Sequence, residues 1–178
     1  MKIFKASIAV FIALYCYRVP ILAQTTDINL NTVIVNDKRY IKFENDNNLI
    51  DPTEVQALFS IDGDIVTDKF PIINANCPLL PVSPLISREA LSWDNKTKIL
   101  NIQYGEKNIV LTAGSLNAYI GDELYILDTE PVIINSNFYA PTKFLAGALN
   151  YSFEYKAIGL DGLSPSGYMP LIMLKSKN

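Results

Sequence analysis

Apolar and polar positions alternate along much of this chain in short stretches broken by polar pairs. Ile99–Gln103 and Asn108–Thr112 flank Tyr104-Gly105-Glu106, and Ala118–Ile120 and Leu124–Leu127 flank Gly121-Asp122. Ile61 and Ile65 flank Asp62-Gly63 in the same way. Period-two apolar runs around tight polar turns predict β-hairpins. One stretch changes period. After Pro141, the residues Phe144, Leu145, Ala148 and Leu149 recur at three- and four-residue spacing, which gives one apolar helical face. Asn150 is suited to end that helix in the left-handed conformation. Alternation then resumes with Phe153 and Tyr155 on one face of a strand. Two stretches are less determined. Asp51, Pro52 and Glu54 can cap a short helix through Phe59, yet Val55–Ile61 reads equally well as a strand. Tyr168–Lys175 is apolar enough for a closing strand whose partner the pattern does not reveal.

The chain also repeats itself. Asp68-Lys-Phe-Pro71-Ile-Ile-Asn-Ala-Asn-Cys-Pro-Leu-Leu-Pro81 is followed by Asp128-Thr-Glu-Pro131-Val-Ile-Ile-Asn-Ser-Asn-Phe-Tyr-Ala-Pro141. The Asp, the first Pro, the last Pro, and Leu85 with Leu145 all recur at an offset of 60. Two units are too few for a solenoid and predict a duplicated supersecondary unit around a shared core. In each unit, Pro71 or Pro131 opens a short strand, where a missing N–H does least harm. Asn74-Ala75-Asn76 or Asn135-Ser136-Asn137 then turns the chain. A second strand runs into Pro81 or Pro141, each placed to open a helix. The first helix, Leu85–Leu91, reads as shorter because Pro84 interrupts its first turn. Leu91 and Trp93 stand as the counterparts of Phe153 and Tyr155. The predicted fold class is α+β: mostly antiparallel hairpins with one short helix per repeat, in two degenerate copies of a β-β-α-β unit.

The segment Pro131-Val-Ile-Ile-Asn-Ser-Asn-Phe-Tyr-Ala-Pro141-Thr-Lys-Phe-Leu-Ala-Gly-Ala-Leu-Asn-Tyr-Ser-Phe-Glu-Tyr155 resembles the copper amine oxidase N-terminal-like domain, or stalk domain. That family repeats P-x-I-x-N-G-R-x-x-V-P-L-R-F-I-A-E-A-L-G-A-x-V-x-W-D. Trp93-Asp94-Asn95-Lys96-Thr97-Lys98 resembles its W-D segment. Leu111–Asp128, with Gly114-Ser115 ahead of a hairpin, resembles its inter-repeat stretch, and Val33–Lys38 its leading hairpin. The glycine of the N-G-R turn is absent from both copies, and the Arg after the helix-starting proline is replaced by Ser83 and Lys143. The residues carrying the likeness are Pro71, Pro81, Trp93, Pro131, Pro141, Phe144, Leu145 and Tyr155. Their expected role is structural. The resemblance implies a mixed sheet wrapped on a helix, in an exported bacterial protein attached to or interacting with the cell envelope. It does not imply amine oxidation, because this module is a non-catalytic appendage of the oxidases.

The N-terminus adds location. Lys2 and Lys5 precede an apolar run from Ala6 to Tyr17, which Arg18 and Pro20 end. A helix over that run spans about 18 Å, short of a roughly 30 Å hydrocarbon core. A basic start, a short apolar middle and a small final residue make a secretory signal, with cleavage expected after Ala23. An uncleaved anchor is the other reading. A lipid anchor at Cys16 is disfavoured by Tyr15 in place of a small residue. The expected organisation is a signal over 1–23, an N-terminal hairpin and variable segment over 24–60, and a duplicated stalk-like domain over 61–178. Losing Lys2, Lys5 and Arg18 leaves 12 cations against 18 acids, a net charge of −6. Such an acidic surface disfavours nucleic acid and anionic membranes as partners. Cys77 is then the sole cysteine, so no internal disulfide forms, and it is expected to act as a small buried hydrophobe.

Chemistry is constrained most by one count: the chain has no histidine. Imidazole-dependent copper or zinc sites and Ser-His-Asp or Cys-His nucleophile pairs are excluded in their usual forms. No metal and no cofactor is expected. Asp62, Asp64 and Asp68 fall short of an EF-hand, since Val66 and Thr67 fill its fifth and sixth positions. What remains is a carboxylate pair among Glu44, Asp46, Asp51, Asp62 and Asp64, the basis of an alternative reading as a small secreted hydrolase or inhibitor. Ten tyrosines and eight phenylalanines supply core or a stacking surface, with most expected in the core. The functional expectation is an exported, non-enzymatic module whose partner is cell-wall polymer or an envelope protein, with no membrane contact after cleavage.

Overall fold

A computed structural model describes residues 30–43, 46–159 and 168–177. The signal segment and its cleavage site lie outside the described residues, as does Glu44. The chain forms β1 (Leu30–Val35), β2 (Lys38–Phe43), β3 (Leu58–Ile61), β4 (Asp64–Val66), β5 (Ile72–Asn74), β6 (Cys77–Pro81), β7 (Leu91–Asp94) and β8 (Ile99–Tyr104). It continues with β9 (Lys107–Thr112), β10 (Asn117–Ile120), β11 (Glu123–Ile126), β12 (Val132–Ile134), β13 (Asn137–Pro141), helix α1 (Thr142–Ala148), β14 (Tyr151–Gly159) and β15 (Tyr168–Ser176). Apart from one parallel pair, these strands run antiparallel, as an α+β protein rich in hairpins should.

The turns explain why. Asn36-Asp37, Asp62-Gly63, Ala75-Asn76 and Asn135-Ser136 each place two successive residues at positive φ, the type I′ geometry whose twist matches paired strands. Gly105 and Gly121, both at φ 59, open the other two-residue turns as the glycine of a type II′ turn does. Asn76 and Ser136 stand where the N-G-R motif has its glycine and hold left-handed backbone at φ 65 and 62, which Asn tolerates best among non-glycine residues. The two repeat turns sit at 75–76 and 135–136, so the first is one residue later than Asn74-Ala75-Asn76 suggested, and the offset stays 60.

Four sheets result, ordered β1-β2, β11-β10-β9-β8-β7, β12-β13-β6-β5 and β14-β15-β3-β4. In the third, β6 and β13 pair antiparallel with Leu80 opposite Ala140. These residues are themselves 60 apart in sequence. In the fourth, β15 lies between β14 and β3, antiparallel to the first and parallel to the second. Its central strands, β3 and β15, are covered on both sides. Phe59, Ile172 and Leu174 face the main core with Leu80, Ile102, Leu111, Leu145 and Leu149. Leu58, Leu171 and Met173 face a second core completed by Ile41, Phe43 and Ile50.

Helix content departs from expectation. Thr142–Ala148 is the one α-helix among the described residues, and the expected helix over Leu85–Leu91 does not form. A turn over 83–85 and a 3-10 turn, Arg88–Ala90, replace it. Pro84 disfavours the α region for the residue before it, Ser83. Val82, Ile86 and Ser87 are also weaker helix formers than Ala146 and Ala148. The helix that does form starts one residue late: Pro141 is its N-cap (φ −56, ψ 127) rather than its first residue. Asn150 follows the helix at φ 60, as expected. In the ambiguous stretch the strand wins, since 52–54 is only a turn and β3 begins at Leu58.

Candidate functional site

The five-stranded sheet has one buried and one open face. Strand parity sends Leu100, Ile102, Ile109, Leu111 and Ala118 into the main core. The alternate residues face outward, and register links them across the sheet. Ser92 lies opposite Asn101, Asn101 opposite Val110, Val110 opposite Tyr119, and Tyr119 opposite Leu124. Gln103 pairs with Asn108, Asp94 and Thr112 flank Ile99, and Asn117 pairs with Ile126. None of these outward residues is buried. Tyr119 is 40% exposed, Leu124 53% and Ile126 68%, so the β10–β11 end is an apolar, partly aromatic patch beside an amide-bearing field.

Asp94 is the single charge among the outward positions of these strands, and it is engaged locally. Its carboxylate accepts bonds from Thr97 Oγ1 (2.6 Å) and the Lys96 N–H (2.9 Å). Those bonds, the Thr97 hydroxyl first, hold its pKa below the usual aspartate value. Gln103 donates to the Gly105 carbonyl at 2.8 Å.

On the inward side of the β11 edge, an open groove of about 490 Å³ runs between the hairpin and α1, lined by Tyr125, Phe144, Lys107, Lys143 and Gly147 among others. Tyr125 and Phe144 meet edge to face, with centroids 6.0 Å apart. The Tyr125 hydroxyl donates to Glu123 at 2.8 Å, and this bond raises the phenol pKa. Lys143 reaches Asp128 at 3.8 Å. The rim charges are thus partly spent on each other.

Pro71, Pro81, Pro131 and Pro141 are buried, and Leu145 is fully so. Pro71 and Pro131 lie just before β5 and β12, and the Pro131 carbonyl accepts the Gly114 N–H at 2.9 Å. Tyr155 packs edge to face on Phe153 at 5.4 Å. Trp93 is 40% exposed and meets Phe138 at 5.7 Å. Cys77, expected to be buried, is half-buried in β6.

The candidate acids go to separate local tasks. Asp46 accepts from the Thr67 hydroxyl and the Asn48 N–H, and Asp51 from the Thr53 N–H (2.9 Å) and Oγ1 (2.6 Å). Asp62 binds the Ser176 N–H and Oγ, each at 2.7 Å. Asp64 is exposed on β4. Among the described residues no group of three or more His, Cys, Asp or Glu is placed to hold a metal, and no helix is long and apolar enough to cross a membrane.

Together the sheets, the hairpins and the open face define a small, antiparallel-rich α+β module. Residues 60–159 match the family model of the copper amine oxidase N-terminal domain. The match covers 100 of 178 residues, and the chain belongs to that family. The domain is a non-catalytic module of amine oxidases. No curated protein and no solved structure matches the chain. The copper of the family's description does not fit the donors present, since no imidazole exists here to hold it.

Proposed function

We propose that this chain is an exported, stalk-like binding module without catalytic activity of its own, which engages cell-wall polymer or an envelope protein. The observation that carries this reading is the open sheet face: Tyr119, Leu124 and Ile126 are exposed together at one end. Contiguous exposed apolar surface on a folded domain marks interaction sites. Family membership supports the non-catalytic part, and the basic, apolar N-terminus supports export.

We also read the scaffold as two degenerate copies of a β-β-α-β unit. Supporting this are the offset of 60, the matching positive-φ turns and the Leu80–Ala140 pairing. The first copy has lost its helix to Pro84. The test of function is retention of the purified protein on isolated cell wall and on envelope protein extracts. The wild type is expected to bind one of them. A Tyr119→Ser, Leu124→Ser, Ile126→Ser triple variant should lose most of that retention with an unchanged melting temperature. Equal retention of both proteins, or none on either material, would remove the reading.

A further inference from the structure

Resting on that binding reading, we infer that the outward face of the β7–β11 sheet is a site for an extended, uncharged polysaccharide. Surfaces of small soluble domains carry charge at roughly a third of their positions. This face has a single carboxylate, Asp94, whose oxygens already serve Thr97 and the Lys96 N–H. A phosphate-bearing or sulfated chain would find no counter-charge among these outward positions, and a polycationic one only Asp94. A neutral one pays no charge desolvation.

The polar groups that are present suit sugars. Sugar hydroxyls both donate and accept, and so do the side-chain amides of Asn101, Asn108 and Asn117. Sugar rings also have apolar C–H faces that stack on aromatic and aliphatic side chains, and Tyr119 lies directly opposite Leu124 at the end of the amide field. The row from Ser92 to Leu124 crosses four strand spacings, about 19 Å, which suits an elongated ligand.

The area argues against a second copy of the chain. The sheet spans about 19 Å by 14–20 Å, a footprint of at most roughly 400 Å². A stable protein interface takes about 800 Å² from each partner.

Affinity electrophoresis of the full chain decides the matter. Gels carry hydroxyethylcellulose, glucomannan or glycol chitin as neutral probes, and polygalacturonate as the anionic one. Expected is retardation by at least one neutral polymer and none by polygalacturonate. Tyr119→Ala should raise the apparent dissociation constant about tenfold. Asn101→Asp, which puts a charge in the middle of the field, should weaken binding without lowering the melting temperature. Lys143→Ala, in the groove on the other side, should bind as the wild type does. Retardation that survives both face variants overturns the inference, and so does preferential binding to polygalacturonate. Free migration in every neutral gel, combined with retention on envelope protein, overturns the polysaccharide while leaving the binding module standing. Absence of retention on any material sinks both.

Discussion

Ser60 is buried at 2% exposure, and its hydroxyl oxygen has no hydrogen-bond partner among the described residues. It lies between Met173 and Ile65 in the doubly covered part of that sheet. A buried hydroxyl without a partner costs more than the apolar group that would replace it. Ser60→Ala is therefore expected to stabilise the protein by about 1 kcal/mol, read from the urea midpoint at constant slope; a lower midpoint would reveal a partner for that oxygen.

Asp62 makes the opposite case. Its carboxylate ties the end of β15 to the β3–β4 turn, and the Ser176 N–H and hydroxyl hold its pKa below the ordinary 3.8. A depressed pKa means the stabilisation is complete above the unfolded value and is lost as pH falls through the folded one. Asp62 sits at φ 53, which Asn tolerates, so Asp62→Asn isolates the charge. Its melting temperature should lie below the wild type's at pH 6, and the gap should close as pH drops below about 4. A gap that persists at low pH would show that the carboxylate's charge contributes nothing.

At the scale of elements, the hairpins were legible because their chemistry is local. Asp62-Gly63 and Gly121-Asp122 announce turns through residues that need or tolerate positive φ. The helix after Pro141 was legible from its apolar spacing, whereas the missing first helix was only half legible. Pro84 weakens it visibly, but the residue composition that finishes it off is a weak prior. Ala75 bears on the same point. It sits at φ 48 in the left-handed region, which costs an L-residue roughly 1–2 kcal/mol. Part of any gain from glycine is offset by the freedom glycine has when unfolded. Ala75→Gly should then stabilise by roughly 0.5–1 kcal/mol, and Asn135→Gly, where the residue is already tolerant, by less. Equal gains at both sites in chemical denaturation would contradict this account of the turns.

At the scale of the whole molecule, less was readable. Leu58-Phe59 and Leu171–Leu174 are near-continuous apolar runs because both faces of their strands are covered, and such runs carry no alternation to assign. Their parallel pairing spans over a hundred residues of sequence, which no local signal encodes. The open face was illegible for a related reason. Asn101, Asn108, Tyr119 and Leu124 become neighbours only through the registers of four strands. Most of the described aromatic residues join the cores, as expected: Phe43, Phe59 and Tyr139 are buried, and Phe70, Phe138, Phe144, Tyr151 and Phe153 are among those packed against the cores. Trp93, Tyr119, Tyr125 and Tyr168 instead keep 38% or more of their surface exposed.

The parallel β3–β15 seam has a mechanical consequence. The chain enters β3 at Leu58 and leaves β15 at Ser176, so tension along the backbone drags the two strands past each other lengthwise. Their ladder then resists as a set, with the Asp62–Ser176 tie at its far end. Tension across β14 and β15 acts differently, opening the pair one rung at a time from Tyr151 and Ser176. Handles at residues 57 and 177 should rupture at higher force than handles at 150 and 177 under the same loading rate. Equal forces would mean that the seam bears no more than an ordinary hairpin. A module placed between an anchor and a partner would then hold hardest along the line on which it is pulled.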